Sequence, residues 1–317
     1  MNHDAFLLEH TPGPTVEVAP SVGRARSALT AATRQLLPIP DSALESSWAW
    51  RDDEADIRYG LYRGIEVCEE AAAEAARVLR TTGARRTPAA DRIGPATAAR
   101  WDLQGLLATL DDATLDRHPR DGEWTARETL GHIINGQRAY GAYTAWWLSR
   151  PGGEPDLTRV PEEVVRAAAL PEEETEGEGT LADLRGRLDA VLDVAAGRFA
   201  ILGDADLAKP ARWAGIPVTV GFRVSRWSSH LIEHTLQLDK TMAWLGLQPT
   251  EVQRLVRLIH AAYGRLEALV MPMPAAHLAV SDDRGRSVDS ILDGLAAELV
   301  ADATSARVAA GVAAPAG

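Results

Sequence analysis

Two histidines four residues apart are the clearest chemical feature of the sequence. They are His230 and His234, in the segment SSHLIEH. On a helix, side chains four residues apart project from one face, one turn apart, so the pair has the geometry of two ligands to one metal ion. A chain with this histidine content contains about 0.2 such pairs by chance. A metal site therefore needs a third ligand.

His132 is the candidate for that third ligand, in the segment EWTARETLGHIINGQ. The helix face that it shares is made of small or polar residues, namely Asn135, Gly136, Ala139 and Tyr143. Because a dry bundle core would carry Leu or Ile at these positions, this face indicates a buried cavity. A second polar face accompanies the histidine pair, through Arg226, Trp227, His230, His234, Gln237 and Thr241.

Three neutral imidazoles leave a coordination position open, which is typical of a catalytic rather than a structural metal site. Zn²⁺ is the default ion, and imidazole also suits Ni, Fe and Cu. The alternative is that the three are core histidines satisfied by hydrogen bonds. The single cysteine, Cys68, excludes an internal disulfide and a cysteine-cluster metal site within one chain, and we predict it to be a packing residue.

The elements that must position these residues are predicted to be helices. Apolar residues recur at spacings of three and four, whereas alternating runs are scarce, so the chain is expected to be all-α. The capping-box spacing of Thr125 and Glu128 predicts the start of the His132 helix, and Thr250 with Gln253 predicts another. Expected helix ranges are about 22–37, 56–79, 96–110, 125–147, 181–202, 223–245, from 250 onwards, and 287–308.

We predict a four-helix bundle over residues 91–248 and a second bundle formed by residues 17–90 with 249–310. The termini, 1–16 and 311–317, are expected to be loose because they lack periodicity. Residues 154–180 are acidic and contain three prolines, which predicts a long mobile crossover able to cover a site. Its run from Glu172 to Glu178 is most simply interpreted as solvated.

Composition limits the function classes. With 33 basic and 45 acidic side chains the formal charge is −12, and no basic run is present, so a nucleic-acid partner is set aside. No stretch approaches the roughly 20 apolar residues of a membrane span, and the start of the chain lacks the pattern of a signal peptide. We therefore expect a cytoplasmic protein, monomeric or homodimeric, that acts on a small molecule.

At this point the sequence resembles a known family. The segment EWTARETLGHIINGQ is similar to the second helix of the DinB-like superfamily, in which a Trp followed by Ser or Thr precedes the first ligand histidine by about eight residues. SSHLIEH is similar to the fourth-helix motif, with two ligands four apart. The resemblance covers about residues 91–248. It implies an up-down four-helix bundle with one long crossover, and a metal triad of His132, His230 and His234.

The flanking segments resemble parts of the same unit. RSVDSILDGLAAE is similar to WTARETLGHIING, with Gly294 where His132 stands. The stretch LLPIPDSALESSWAWRDDEADIRYGLYRGIEVCEEA resembles residues 202–236, and this alignment pairs Val67 with His234. We therefore expect the two terminal regions to meet as a degenerate, ligandless DinB-like bundle.

The resemblance also implies an activity. Members of the superfamily are mostly metal-dependent transferases or isomerases that use a low-molecular-weight thiol, such as bacillithiol, mycothiol or glutathione, and some are hydrolases. Where mycothiol is used, the fourth-helix pair is often Glu then His, whereas this chain has two histidines. Its richness in Ala, Arg and Gly resembles high-GC actinobacterial proteins, which favours mycothiol.

The expected reaction is attack of a metal-activated thiol on a small electrophile, in detoxification or specialised metabolism. Arg223 and Arg226 are expected either to bind a carboxylate or to form surface salt bridges, and we add Asn135, Tyr143 and Trp227 as substrate or thiol contacts. Glu233 is expected to be solvated, and the alternative is that it orients a ligand histidine. The alternatives are a metal-dependent hydrolase that activates water, and a non-catalytic helical binding or stress protein.

Overall fold

The computed structural model describes residues 3–150 and 157–314. In chain order its helices are α1 (His3–His10), α2 (Pro20–Leu36), α3 (Ile57–Thr82), α4 (Pro88–Leu107), α5 (Asp112–Leu115), α6 (Ala126–Ser149), α7 (Glu162–Ala168), α8 (Glu173–Glu176), α9 (Leu181–Phe199), α10 (Asp204–Leu207), α11 (Val220–Trp244), α12 (Glu251–Val270), α13 (Ala275–Leu278) and α14 (Val288–Ala309). The strands are β1 (Ser47–Trp50), β2 (Asp53–Asp56), β3 (Pro210–Trp213) and β4 (Ile216–Thr219).

The eight long helices form two bundles, each with its own apolar core. The first bundle consists of α4, α6, α9 and α11, and the second bundle of α2, α3, α12 and α14. The two bundles meet mainly along α4 and α12. The all-α fold expected from the sequence is confirmed, while the independence of the bundles as domains stays a prediction.

Local sequence signals account for where key helices begin. At the start of α6, Thr125 accepts a hydrogen bond from the backbone N–H of Glu128, whose carboxylate accepts one from the Thr125 N–H. The predicted capping box is therefore present, and the same arrangement joins Thr250 and Gln253 at α12. Each box satisfies backbone donors that the first helical turn would leave unpaired.

Two β-hairpins were not expected from the sequence. Strands β1 and β2 pair antiparallel, with Ser47 opposite Asp56, and β3 and β4 pair with Pro210 opposite Thr219. Each strand has four residues, too few for alternation to stand out. Their turns place Arg51 (φ 57°) and Ala214 (φ 49°) in the left-handed region, rather than the Asn-Gly that usually signals a hairpin.

The expectation of a loose N-terminus is wrong for residues 3–16. Helix α1 buries Phe6 and Leu7 in the core of the first bundle. Arg198 of α9 then fixes the chain that follows, because its guanidinium donates to the Thr11 carbonyl and to the Thr15 hydroxyl. At the other end, residues 311–314 follow α14 without regular structure, and residues 1, 2 and 315–317 lie outside the described residues.

The crossover between α6 and α9 also differs from the expected mobile loop. Its described part, 157–180, contains α7 and α8, and residues 154–156 lie outside the described residues. Glu176 is only 2% exposed and forms ion pairs with Arg138 and Arg187. The acidic run indicated solvation, but these two arginines lie on the helices beneath it and compensate the buried charge.

The two bundles repeat the same order of parts. In each, a β-hairpin leads directly into a long helix through a capping residue: Asp56 at α3 and Thr219 at α11. Counting from these caps, Val67 corresponds to His230 and Ala71 to His234, which shifts our sequence alignment by one helical turn. Gly294 lies seven residues after its cap, as His132 does after Thr125, and that pairing agrees with the alignment. The second bundle therefore lacks all three histidines.

Close packing of backbone joins the bundles. A Cβ placed on Gly264 of α12 would lie 2.7 Å from the Cβ of Trp101 on α4. Beside this contact, the fully buried carboxylate of Glu267 accepts hydrogen bonds from Arg26 and Arg100. Helices this close leave room only for the hydrogen atom of a glycine at position 264. The buried carboxylate beside this crossing is compensated by the two guanidinium groups.

Candidate metal centre

The structure brings His132, His230 and His234 together in the first bundle. One ring nitrogen from each lies within 4.8 Å of the other two. The Nε2 atoms of His132 and His230 are 3.5 Å apart. His230 and His234 are buried, and the side chain of His132 is 27% exposed, so the cluster opens to solvent on the His132 side.

Hydrogen bonds hold two of the rings by their Nδ1 atoms. The Nδ1 of His132 lies 2.9 Å from Glu173 Oε1, and the Nδ1 of His234 lies 2.7 Å from Gln237 Oε1. An oxygen acceptor at Nδ1 favours the tautomer with its proton there. The lone pair is then on Nε2, facing the cluster centre, as in metal-ligating histidines.

The ring of His230 is held by Gln137. The Nε2 of Gln137 lies 3.2 Å from His230 Nδ1 and also 3.2 Å from the carbonyl oxygen of Trp227, while its Oε1 is buried without a partner. Because the Trp227 carbonyl can only accept, the NH2 group of Gln137 donates to it and to His230 Nδ1, which fixes the position of the His230 ring.

Burial keeps the buried pair uncharged. It lowers the pKa of His230 to about 3, with additional contributions from His234, His132 and Arg226. Burial likewise lowers the pKa of His234. Neutral imidazole is the form that coordinates a metal, so both rings are available as ligands at neutral pH.

The spacing of the histidines fits a tetrahedral metal. Nitrogens that are about 2.0–2.1 Å from Zn²⁺ at the tetrahedral angle lie about 3.3–3.4 Å from each other. The 3.5 Å between His132 and His230 Nε2 is close to that value. Three neutral imidazole nitrogens, with no cysteine thiolate among the ligands, suit Zn²⁺, Ni²⁺ or Fe²⁺. They leave at least one coordination position for another ligand.

Aromatic rings and an arginine form the wall beside the histidines. The ring centroids of Tyr140 and His230 are 4.9 Å apart, and those of Tyr140 and Trp213 are 5.0 Å apart. The guanidinium carbon of Arg226 lies 5.2 Å from the centroid of Trp213. Burial raises the pKa of Tyr140, which hydrogen bonds with Arg226. The wall therefore combines flat apolar surface with a cation.

Our sequence analysis missed several members of this site. Tyr140 lies two helical turns after His132, so helical spacing could have identified it. Glu173 and Trp213 carry no such signal, because one lies in a segment interpreted as a solvated loop and the other on an unexpected hairpin. Gln137 also lay outside the proposed set.

Among the predicted binding residues, Arg226 lies beside the histidines, and Tyr143 packs against the core of the first bundle. Tyr143 is half-buried, and burial raises its pKa. Arg226 lies on the wall, with its Nη2 3.9 Å from a carboxylate oxygen of Glu233. Glu233 itself is exposed, consistent with the solvated role we expected.

The side chains of the other three make contacts within the fold, and their role in binding stays a prediction. Arg223 is buried, donating to the Thr144 hydroxyl and to the Arg212 carbonyl, and burial lowers its pKa to about 10. Trp227 is 1% exposed and packs edge-on against Phe199 in the core. Asn135 donates to the carbonyl of Pro171 and so fastens the crossover. Each side chain is committed to the fold.

A larger cavity lies elsewhere. It has a volume of about 580 Å³ and is lined by the ends of α4 and α11 and the start of α12, with Leu106, Met242 and Arg254 among its residues. None of the three histidines lines it. Cavity size alone therefore does not locate the metal centre.

Comparison with known proteins agrees with this geometry. Residues 96–238 match the family profile of the DinB superfamily. The match supports assignment of this segment, which contains all three histidines, to the DinB superfamily, and that superfamily includes metal-binding enzymes. No curated protein and no solved structure matches the chain significantly. Across residues 3–150 and 157–314, no helix combines the length and apolar character needed to cross a membrane.

Proposed function

We propose that this protein is a metal-dependent enzyme that activates a low-molecular-weight thiol for attack on a small electrophile. It would act as a thiol S-transferase or an isomerase. The observation that carries the proposal is the convergence of three histidine nitrogens within 4.8 Å in a cleft open on one side. A site closed by a fourth protein ligand would instead indicate a structural metal.

The metal supplies one chemical property. A free thiol has a pKa near 8.5 and is mostly protonated at neutral pH, whereas a thiol bound to a divalent cation is held as the nucleophilic thiolate. The histidines hold the cation without adding negative charge, so its full charge acts on the sulfur.

The chain's own residues position the reactants. Arg226 offers a guanidinium to a carboxylate, and Tyr140 with Trp213 provides a flat surface for a conjugated or aromatic electrophile. In transfer, a sulfur–carbon bond forms as the leaving group departs with its electron pair. In isomerisation, the thiolate adds to a conjugated double bond, the adduct rotates, and elimination returns the thiolate.

The nucleophile does not come from this chain. Cys68 is fully buried in the second bundle, and burial raises the pKa of its thiol to about 12. A free small thiol therefore has to supply the sulfur. We favour mycothiol on composition alone, and the predicted cytoplasmic location and a monomeric or homodimeric state accompany the proposal.

A metal-dependent hydrolase is the second candidate. The same neutral triad would lower the pKa of a bound water and make hydroxide available near pH 7. The open side at His132 admits water as readily as a thiol.

The two candidates separate on thiol dependence. Purified protein reconstituted with Zn²⁺ would be assayed with mycothiol, bacillithiol or glutathione against 1-chloro-2,4-dinitrobenzene, and without thiol against 4-nitrophenyl acetate. His132→Ala serves as the control. Turnover that requires a thiol and disappears in the variant supports the transferase. Ester cleavage without thiol supports the hydrolase, and no turnover with a broad panel of electrophiles favours a binding protein.

A further inference from the structure

The crossover between α6 and α9 contributes a carboxylate to the histidine cluster. Glu173, the first residue of α8, places its Oε1 2.9 Å from Nδ1 of His132. Among the three histidines, His132 is the one on the open side of the cleft. On its other side the ring contacts Trp124, with the ring centroids 5.1 Å apart. His132 is therefore held between an indole and a carboxylate.

The backbone around Glu173 is fixed to α6 by several contacts. Asn135 donates to the carbonyl of Pro171, just before α8. Gly131 has no side chain at the point where the carbonyl of Glu173 meets α6, so the two backbones can approach closely. At the other end of α8, the buried carboxylate of Glu176 pairs with Arg138. These contacts fix the backbone from which the Glu173 side chain projects towards His132.

We propose that Glu173 is a positioning residue for the metal centre, and this rests on the proposed metal-dependent function. Its carboxylate accepts the Nδ1 proton of His132, which fixes the tautomer that has its lone pair on Nε2. It also fixes the rotation of the ring, so that Nε2 points towards the nitrogens of His230 and His234. A metal-ligating histidine oriented by a carboxylate in this way is also a stronger electron donor.

This role distinguishes Glu173 from its neighbours in the acidic run. Glu174 follows it on the same short helix, and both residues are exposed, but only Glu173 contacts His132. The two residues are adjacent in the chain and carry the same charge. A purely long-range effect of negative charge would therefore be similar for the two, whereas an orienting hydrogen bond depends on Glu173 alone.

The test is a zinc affinity measurement on the full-length protein. Protein stripped of metal would be titrated with Zn²⁺ in competition with a chromophoric chelator, comparing wild type, Glu173→Gln, Glu173→Asp and Glu174→Gln. We expect Glu173→Gln to weaken zinc binding about 10- to 100-fold. Glu173→Asp, which retains a carboxylate on a shorter side chain, should lose less, and Glu174→Gln should match wild type.

Cobalt provides a second readout. The visible absorption of bound Co²⁺ reports coordination geometry, and we expect it to change in Glu173→Gln and not in Glu174→Gln. The melting temperature of the metal-free protein should be the same in both variants, because the orienting role acts on the metal ligand and not on the fold. If Glu173→Gln loses zinc affinity and its metal-free form also melts at a lower temperature, the loss reflects a damaged fold, and this result would overturn the positioning role.

The outcomes distinguish the two levels of the argument. If wild type binds zinc and Glu173→Gln binds it equally tightly, the role of Glu173 is wrong and the metal site remains. If wild type binds no zinc, nickel or cobalt, the proposed metal-dependent function fails, and the inference fails with it.

Discussion

Gly136 lies against the imidazole of His230, and a Cβ added at this glycine would be 2.7 Å from the ring's Cε1 atom. The ligand ring thus occupies space that any larger residue on α6 would fill. Since Gly136 lies one turn after His132, the same helix supplies one ligand and the room for another.

Gly136→Ala should therefore weaken metal binding without altering a ligand. The added methyl group displaces the His230 ring, because 2.7 Å to Cε1 is closer than two carbon atoms approach each other and 3.1 Å to Nε2 is also tight. We expect zinc affinity to fall at least about tenfold, the lower end of the effect of losing ligand orientation. Competition titration would measure it.

Gly294→Ala is the matched control for that substitution. Gly294 occupies the position in α14 that corresponds to His132, and a Cβ there meets nothing within 4 Å. Its zinc affinity should equal that of wild type. Equal affinities for all three proteins would show that Gly136 does not shape the site.

Sequence patterns predicted that the three histidines meet, because their placement depends on helical periodicity alone. His230 and His234 share a face at any helix boundary, and the cap at Thr125 places His132 correctly. The wall and the carboxylate escaped prediction because tertiary contacts create them. Trp213 reaches the site through a hairpin of four-residue strands, and Glu173 through a crossover whose acidic composition resembles a solvated loop.

The burial of two predicted binding residues has a related cause. Arg223 and Trp227 lie on the helix that carries the ligands, but their own faces point into the core. The sequence shows which residues share a helix. A small rotation of that helix about its axis decides whether a given side chain faces the cleft or the core. The loose N-terminus failed because Phe6 and Leu7 are too short an apolar segment to indicate docking.

The second prediction concerns the close contact between the two bundles at the crossing of α4 and α12. Gly264→Ala should destabilise the protein by about 1–3 kcal/mol, because the new methyl group overlaps Trp101 and the Ala98 carbonyl at the tight crossing of α4 and α12. Gly294→Ala, in an open helical position, should instead stabilise by about 0.5–1 kcal/mol. Urea unfolding followed by circular dichroism would test both, and effects of the same sign would contradict the packing described.

Buried and exposed ion pairs should respond differently to mutation. Arg26 and Arg100 both pair with Asp193 and with the fully buried Glu267, and we expect Glu267→Ala, which removes the more buried carboxylate, to cost about 3 kcal/mol. Asp293→Ala removes the exposed partner of Arg24 and should leave the free energy of unfolding almost unchanged. If urea unfolding shows comparable losses in the free energy of unfolding for the two variants, the buried ion pairs of Glu267 contribute no more to stability than a surface pair.

Cys68 provides a prediction on pH. Its thiol titrates near 9.0 when exposed and near 12 in the fold, because burial disfavours the thiolate. The folded protein should therefore not react with Ellman's reagent at pH 8, and one thiol per chain should react in denaturant. Above pH 9 the unfolded state loses this proton first, so the free energy of unfolding should fall as the pH rises from 9 towards 12.

Cys68→Ser controls for the other groups that titrate at alkaline pH. The variant should lose the part of the alkaline destabilisation that belongs to the thiol. Rapid labelling of the native protein at pH 8 would contradict the burial of Cys68 in the second bundle.

The central claim is that His132, His230 and His234 hold one metal ion, and elemental mass spectrometry of tag-free protein tests it most directly. We predict about one equivalent of zinc, nickel or iron per chain in wild type, and its loss in His230→Ala and His234→Ala. The metal-free variants should remain folded by circular dichroism. Wild-type protein that retains no metal after incubation with Zn²⁺ or Ni²⁺ and dialysis would contradict the claim.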